Sequence, residues 1–340
     1  EIEEFIKKGD TEKVKIQDKR KKKEKVSTVQ TPTVTEIPKP TTLDEFRKAF
    51  DKLDQEKWNR INNYYEQEIK EQAKLKRLNK DNYKSLAELD KAKRNSTKKK
   101  TLKALADKVK DNENKLKEQA KLLSKIVDDR AKVDQQILNE QRKLLFADKP
   151  SEHEISVQSS VNRLPMKTVR EGLEQFKNLI PKDLLSTRLI DIDSTFNDVL
   201  NYRAMGATRS WFNPNDNIVY LRDTVPTSVV IHELVHWLED KNSSLNKLAV
   251  QFLDRRTQGE SEVNLNTLFP NQGYGANETA KLDKFDIPYM GKSYTKNDGS
   301  RTTEILTMGI EGIWKDPRSF IYKDPDYFEF IMKDILGKIK

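Results

Sequence analysis

The stretch from residue 41 to residue 149 contains neither glycine nor proline. These two residue types interrupt helices, and this stretch is instead rich in Lys, Glu, Leu, Ala, Gln and Asp, so it predicts long helices. Capping-box spacing at Thr42-x-x-Glu45 and at Ser85-x-x-Glu88 marks two candidate helix starts. The polar stretches 80–83 and 94–97 are the candidate breaks. We therefore expect an all-α arm over residues 44–149.

A seven-residue repeat runs through the second half of this arm. Its seven positions are Leu102, Val109, Leu116, Leu123, Arg130, Ile137 and Leu144, and all of them except Arg130 are apolar. The partner row that a coiled coil requires is only half apolar: Leu105, Asn112, Gln119, Ile126, Val133 and Glu140. The pattern predicts a weak coiled coil or a helical hairpin, with a role in spacing, docking or self-association.

The residues before the arm have a different composition. Residues 1–43 combine a basic run at 19–25 with a Pro-, Thr- and Val-rich stretch at 31–40, which is typical of a flexible linker. Residues 1–148 carry a net charge of +11, whereas residues 149–340 carry −2. A basic half can contact nucleic acid or an acidic partner. We favour the simpler interpretation, a solvated helical surface rich in lysine.

From Pro150 onward the sequence is typical of an α+β domain, residues 150–340. Ten of the eleven glycines and nine of the twelve prolines lie there. We expect helices over 164–185, a strand near 189–192 and a β-hairpin from 207–212 and 217–221. Further helices are expected at 226–239, at 245–252 and from about residue 302, with a loop-rich insert at 257–300. The sequence has no cysteine, no transmembrane stretch and no signal peptide, so we expect no thiolate site and no membrane association.

The central motif is His232-Glu-Leu-Val-His236, an H-E-x-x-H pattern inside an apolar segment. Residues four apart lie on one face of a helix, so His232 and His236 can bind one metal ion. Glu233 is then placed to take a proton from a water molecule that the metal activates. Two buried histidines without a ligand would leave polar nitrogens unsatisfied. The motif therefore predicts a Zn²⁺ site.

A zinc site in a hydrolase usually has a third protein ligand. His153 is distant in sequence, and we interpret it as a surface histidine. Glu304 and Glu311 are two helical turns apart in an apolar segment, so both can face the histidines. We prefer Glu304 as the ligand and Glu311 as a partner for a histidine N–H, although the spacing alone does not decide. Glu239 and Asp240 are interpreted as solvated charges at a helix end.

Three further segments carry a resemblance to a known family. Residues 287–294 (IPYMGKSY), 303–311 (TEILTMGIE) and 324–330 (DPDYFEF) are similar to zincin-like domains at the C-terminus of minor head (head-morphogenesis) proteins of tailed phages and prophages. The resemblance covers about residues 155–337 and leaves the arm out. It implies a glutamate-ligand zincin with His232, His236 and Glu304 as ligands and Glu233 as general base. Thr307 departs from the pattern, where serine is more usual.

These observations predict a zinc metallopeptidase, an endopeptidase acting on a polypeptide, within a virion head protein. An oxyanion donor is still required, and Tyr294, Tyr289 and Arg301 are the candidates. The strand near 217–221 is the expected edge for an extended peptide. The location implied is the virion or the host cytoplasm, with the arm contacting other virion proteins.

Three alternatives remain. The chain can be a structural head component with a vestigial zinc domain, although a retired site need not keep Glu233. It can be a toxin-like effector peptidase. Residues 1–148 can contact nucleic acid, which would make DNA binding strongly salt-dependent.

Overall fold

The structure is a computed structural model that describes residues 37–95, 97–147, 166–184, 191–194, 210–215, 217–222, 224–270, 274–275, 277–295 and 299–340. Residues Lys39–Lys340 form one compact unit. This unit is mostly helical, with a long N-terminal arm and a few small sheets, as the α+β prediction requires at this level of detail. The flexible linker predicted for 1–43 and the surface position predicted for His153 fall largely outside the described residues.

The arm is an antiparallel hairpin of α1 (Leu43–Arg94) and α2 (Lys99–Leu145). Thr42 caps α1 by accepting a hydrogen bond from the backbone of Glu45, as predicted. The break expected at 94–97 is confirmed, because α1 ends at Arg94. Two polar residues of the partner row join the helices. Gln119 donates a hydrogen bond to the Glu71 carbonyl oxygen, and Asn112 donates one to the Ser85 hydroxyl.

The break expected at 80–83 and the helix start expected at Ser85 are wrong. α1 passes through both without interruption. Ser85 is 1 % exposed, and its hydroxyl donates to the carbonyl of Asp81 one turn earlier while it accepts from Asn112 of α2. The serine therefore serves the contact between the helices. A capping role requires a free helix end, which does not exist at this position.

The base of the arm packs against the C-terminal helices. Phe46 and Phe50 are fully buried and contact Phe328 with ring centroids 5.9 and 6.2 Å apart. In α2, the guanidinium of Arg142 lies 3.6 Å from the centre of the Trp314 ring and donates to the Trp314 carbonyl at 2.7 Å. These contacts join the arm to the core that carries the candidate site.

After α3 (Met166–Leu179) and a short 3₁₀ turn (Lys182–Leu184), a three-stranded sheet follows. It contains β1 (Asp191–Ser194), β2 (Trp211–Asn213) and β3 (Ile218–Leu221) in the order β1-β3-β2. The antiparallel β2–β3 hairpin is as predicted. The expected edge strand is wrong: β3 lies between parallel β1 and antiparallel β2, so its backbone is paired on both sides. The predicted strand near 189–192 overlaps β1, which begins at Asp191.

Two consecutive helices follow the hairpin, α4 (Thr227–Lys241) and α5 (Ser243–Arg256). The insert then contains β4 (Val263–Asn264), α6 (Leu265–Leu268), β5 (Thr279–Ala280), a 3₁₀ turn (Pro288–Gly291), β6 (Ser293–Thr295) and β7 (Arg301–Thr303). The chain ends with α7 (Ile305–Lys315), α8 (Pro317–Lys323), α9 (Pro325–Phe330) and a π-helical turn (Ile331–Ile335). α4 lies against α3 and α7, which places it at the centre of the fold.

One glycine fixes the path of the insert. A Cβ atom on Gly291 would lie 1.7 Å from the carbonyl oxygen of Lys281, so only glycine fits. The same backbones are joined by a hydrogen bond from the Lys281 amide to the Gly291 carbonyl. This contact sets the position of Tyr289 and Tyr294, which flank Gly291 in sequence. Within the described residues, none of the helices has the length and apolar content needed to cross a membrane.

Candidate metal centre

Helix α4 carries the first part of the site. Its apolar residues Val230, Ile231, Leu234 and Val235 are fully buried, so the helix crosses the core and leaves little room for solvated side chains. His232 and His236 lie one turn apart on the face toward α7, with ring centroids 5.0 Å apart. Their helical spacing brings both Nε2 atoms to one point, as the sequence predicts.

Glu304 meets both histidines. It occupies the N-cap position of α7, directly after β7, and is fully buried. Its Oε2 atom lies 3.3 Å from Nε2 of His232 and 3.3 Å from Nε2 of His236. The helix expected from about residue 302 begins later, at Ile305, because Thr302 and Thr303 belong to β7. At the N-cap position the Glu304 carboxylate still lies at the positive end of the helix dipole, which favours a negative charge.

Both oxygens of Glu304 have further partners. The phenols of Tyr289 and Tyr294 donate to Oε1 at 2.9 and 2.6 Å, and they lie 3.1 Å from each other. Thr307 donates to Oε2 at 2.8 Å. The carboxylate is therefore held in one orientation, with Oε2 toward the histidines. The third oxyanion candidate, Arg301, pairs with Asp254 instead.

Glu311 orients the first histidine. Its Oε2 lies 3.0 Å from Nδ1 of His232, the nitrogen that faces away from Glu304. Its Oε1 accepts from Lys315 at 3.2 Å. A carboxylate on Nδ1 holds that nitrogen protonated and leaves Nε2 as the atom that could bind a metal ion. Glu304 therefore lies beside the Nε2 atoms of both histidines, and Glu311 lies beside Nδ1 of His232.

The charges of these groups stabilise one another. Burial lowers the pKa of His232, but its bonds to Glu304 and Glu311 raise it by more, so its pKa lies well above the ordinary value. Burial raises the pKa of Glu304, and the two histidines lower it by more, so the net pKa is well below its usual range. The directions of these shifts favour charged carboxylates beside protonated imidazoles.

Glu233 lies beside the cluster and lines the same cleft. It is 5 % exposed, and this burial raises the pKa of its carboxyl against the opposing effect of the two histidines. A glutamate with a raised pKa holds a proton more readily than an ordinary glutamate does.

Glu239 differs from its predicted role. It is 1 % exposed, and burial raises its pKa to about 7, so the interpretation as a solvated helix-end charge is wrong. It lies three residues after His236 and hence on the same side of α4. Its Oε1 accepts from Asn246, which also donates to the Arg301 carbonyl. The three-residue spacing from His236 is visible in the sequence. We interpreted Glu239 there as a charge at the helix end.

These groups line a cleft of about 490 Å³. Its walls come from the β2 segment, from α4 and from the insert: Ser210, Trp211, Phe212, Pro214, His232, Glu233, His236, Glu239, Asp240, Glu278, Tyr289, Tyr294, Thr302 and Glu304. This volume is within the range of pockets that bind small molecules, about 300–1,000 Å³.

The donor set fits a zinc ion. Ligand bonds of about 2.0–2.1 Å in a tetrahedron separate neighbouring donor atoms by about 3.3–3.4 Å. The two distances from Glu304 Oε2 to the histidine nitrogens equal this separation, whereas a charged N–H···O hydrogen bond is about 2.7–2.9 Å. The three donor atoms lie within 4.8 Å of one another. Two imidazoles and one carboxylate leave a fourth position for water or substrate.

No protein-family model, curated protein or solved structure matches this chain. What the site can do must therefore be inferred from its own chemistry and from the motifs.

Proposed function

We propose that this protein is a zinc-dependent metallopeptidase, an endopeptidase of the glutamate-ligand zincin type. The observation that carries the proposal is the convergence of His232 Nε2, His236 Nε2 and Glu304 Oε2, with Glu233 beside them in one cleft. Two histidines with one carboxylate is the ligand set of hydrolytic zinc sites, and a glutamate next to the first histidine is their general base.

The proposed role of each residue in the reaction follows from its contacts. A zinc ion held by these side chains would supply the Lewis acidity that activates water and polarises a carbonyl group. Glu233 accepts the proton of the attacking water and passes it to the leaving amine. Tyr289 and Tyr294 orient Glu304 in this structure. Burial of its hydroxyl and the charge of Glu304 raise the pKa of Tyr294, so the phenol keeps a proton that it can also donate to an oxyanion.

The cleft supports a polypeptide substrate. The β2 strand lines it with Trp211 and Phe212, and among the described strands β2 is an edge of its sheet. An extended peptide can add to such an edge by backbone hydrogen bonds. β2 thus replaces β3 as the strand on which we expect substrate to bind.

The resemblance of the three C-terminal segments to phage minor head domains supports a place in a virion. In that setting the arm, a hairpin of 52- and 47-residue helices, would contact other virion proteins. Its excess of lysine over acidic residues is also compatible with nucleic acid contact. The buried Glu233 favours an active peptidase over a retired metal site.

The test combines metal analysis with peptide cleavage. The purified chain should hold about one zinc ion and cleave peptides from a proteome-derived library. Glu233→Gln should keep the zinc and lower cleavage about 10²- to 10⁴-fold, because only the proton acceptor is lost. Asp240→Asn, in the same cleft, is the control and should cleave normally. Zinc-loaded wild type that cleaves nothing in the library would reject the peptidase.

A further inference from the structure

The positive charge of the helical arm is concentrated in its distal half, where α1 ends and α2 begins. Residues 74–121, the distal half, carry 17 basic and 7 acidic side chains, a net charge of +10. The half next to the core, residues 43–73 and 122–145, carries 11 basic and 12 acidic side chains, a net charge of −1. A uniformly solvated lysine-rich surface does not explain this asymmetry.

The connection between the two helices is the most basic part of the arm. Residues 91–106 contain seven basic side chains and no acidic one. All seven basic side chains are exposed. They are Lys91, Lys93, Arg94, Lys98, Lys99, Lys100 and Lys103. We call these seven residues the basic tip.

The basic tip has few acidic partners inside the protein. Lys93 lies 3.8 Å from Asp90, and the other six members of the tip form no ion pair with any residue that the structure describes. In the half next to the core, by contrast, Lys57 of α1 pairs with Asp134 of α2 at 3.1 Å. The charge of the tip is therefore available to a partner outside the chain.

The stability of α2 does not account for three of these lysines. Lys98 occupies the N-cap position of α2, Lys99 and Lys100 follow it, and the first turn contains no acidic residue. The positive end of a helix dipole disfavours cations, so lysines at these positions destabilise the helix. An anionic partner would offset this cost.

The arm presents the basic tip far from the candidate metal centre. α2 has 47 residues, which corresponds to a length of about 70 Å at 1.5 Å per residue. The two helices stay in contact close to the tip, since Lys108 pairs with Glu88 at 3.1 Å and both Leu89 and Val109 are buried. The tip is therefore held at the end of a packed hairpin.

The composition of the distal arm favours phosphate groups as the partner. Residues 84–121 contain no aromatic residue, so the bases of a single strand would have no ring to stack on. Within the described part of this stretch, no large hydrophobic side chain is exposed, although protein interfaces and stable membrane attachment use such side chains. Lysine and arginine bind the phosphates of a duplex without reading its bases.

The size of the tip favours DNA over double-stranded RNA. Two helices side by side, each about 10–12 Å in diameter, make a tip about 20 Å wide. Recognition of an RNA duplex by its shape typically spans about 16 base pairs, which is longer than this. A few phosphate contacts on DNA need no more than the width of the tip.

We propose that the basic tip is a docking surface for double-stranded DNA, which it binds through the phosphate backbone without reading the sequence. The seven side chains supply the positive charge, and the hairpin places them away from the core. The inference goes beyond the proposed peptidase and does not rest on it, because none of the seven residues belongs to the candidate metal centre.

The test measures binding of the purified chain to a short DNA duplex of arbitrary sequence by fluorescence anisotropy at several salt concentrations. The first variant replaces Lys98, Lys99 and Lys100 with glutamine. We expect the slope of log K against log salt concentration to become shallower by about three, since each lost phosphate contact lowers it by about one. Circular dichroism should show unchanged helix content, because the three charges do not stabilise α2.

A matched control removes the same charge from the other half of the arm. Lys52, Lys70 and Lys125 are exposed lysines of the half next to the core, and their replacement with glutamine should keep the wild-type slope. An equal change in this control would attribute binding to the net charge of the chain and overturn the inference.

A second tip variant guards against a change in folding of the first. Replacement of Lys91, Lys93 and Arg94 with glutamine removes three charges on the α1 side and should also make the slope shallower by about three. If both tip variants are folded and keep the wild-type slope, the contact lies elsewhere in the chain and the inference is wrong.

The choice of partner has its own outcomes. Absence of binding to duplex DNA at low salt would overturn the inference. Tighter binding to single-stranded DNA, to an RNA duplex or to vesicles that contain an anionic lipid would assign the tip to that partner instead. Glu233→Gln should bind DNA like wild type, so loss of peptidase activity and loss of DNA docking are separate results.

Discussion

The Thr307 hydroxyl lies 2.8 Å from Oε2 of Glu304 and 3.0 Å from the Glu304 carbonyl oxygen. Replacing it with valine keeps the shape but leaves a buried carboxylate oxygen without this donor. We expect Thr307→Val to weaken zinc binding about ten-fold, the equivalent of one lost charged hydrogen bond. Thr307→Ser keeps the hydroxyl and should bind zinc like wild type. Competition with a chromophoric chelator measures both, and equal affinities for the two variants would show that the hydroxyl is not needed.

Glu304 and Glu311 should differ in what their loss does. Glu304→Ala removes a donor atom that contacts both histidines, so zinc should be lost. Glu311→Ala removes only the partner of His232 Nδ1, and zinc affinity should fall about 10- to 100-fold. Zinc content after dialysis and chelator competition distinguish the two. If Glu311→Ala strips the metal while Glu304→Ala retains it, the assigned roles are reversed.

The raised pKa of Glu239 predicts a pH-dependent stability difference. In the unfolded chain this carboxyl has a pKa of about 4.3, whereas burial raises it to about 7 in the fold. Between these values the folded state keeps a proton that the unfolded state has released, so wild-type stability falls as pH rises through this window. Below this pH window both states hold the proton, so the titration of Glu239 does not change the stability. Well above pH 7 the loss is complete, up to about 4 kcal/mol.

Glu239→Gln lacks this titration but keeps an oxygen for Asn246. Its melting temperature relative to metal-free wild type should therefore increase from pH 4.5 to pH 8. Calorimetric melting in the presence of a chelator measures the difference. A constant difference across this range would show that the Glu239 carboxyl titrates normally in the folded chain.

The site residues differ in how well the sequence could predict them. The histidine pair follows from helical spacing alone, because the periodicity is fixed by the backbone. Glu239 has the same helical periodicity, but its burial depends on Asn246 of the next helix, which spacing does not reveal. The sequence predicted Tyr289 and Tyr294 only as candidate oxyanion donors. Their contact with Glu304 depends on the folded path of the insert.

Among the elements, α7 offers a matched pair of glycines. A Cβ atom on Gly309 would lie 2.6 Å from Cδ1 of Ile331, whereas one on Gly312 would meet Phe320 at an ordinary 3.6 Å. We expect Gly309→Ala to lower the free energy of unfolding by about 1–3 kcal/mol through overpacking. Because Gly309 lies between Glu304 and Glu311, zinc affinity should fall with it.

Gly312→Ala is the control in the same helix. It should be neutral or stabilising by up to about 1 kcal/mol, since alanine is the better helix former. Denaturant unfolding of the two variants provides the comparison. Equal destabilisation by both would indicate that helix flexibility, and not the contact with Ile331, is what matters.

Element types were predictable where the local signal was strong. The arm, the hairpin and the helix that carries His232 and His236 follow from composition, turn residues and periodicity. The break at 80–83 was wrong because cross-hairpin contacts override a local polar stretch. The edge assignment of β3 was wrong because strand order depends on β1, which lies before a long connection. Pairing between distant segments has no local signature in one sequence.

For the whole molecule, the aromatic contact at the base of the arm predicts joint unfolding. Phe50 of α1 is fully buried against Phe46 and Phe328. Phe50→Ala should lower the free energy of unfolding by about 3–5 kcal/mol. Helix content by circular dichroism and the fluorescence of buried Trp237 should be lost in one transition, since arm and core share this packing.

Tyr83→Ala, at a position 74 % exposed on the same helix, should change stability by less than about 0.5 kcal/mol. An arm that melts before the Trp237 signal changes, in wild type, would contradict a shared core. A Phe50→Ala variant that is as stable as the Tyr83→Ala variant would also contradict a shared core.

The close approach at Gly291 also constrains how this chain can diverge. A Cβ atom on residue 291 would lie 1.7 Å from the Lys281 carbonyl oxygen. No side-chain rotamer relieves that overlap, because the backbone alone fixes both atoms. Every other residue type at this position would displace the segment that presents both tyrosines to Glu304. In any lineage that retains this geometry, we expect position 291 to stay glycine even where His232, His236 and Glu304 have been replaced.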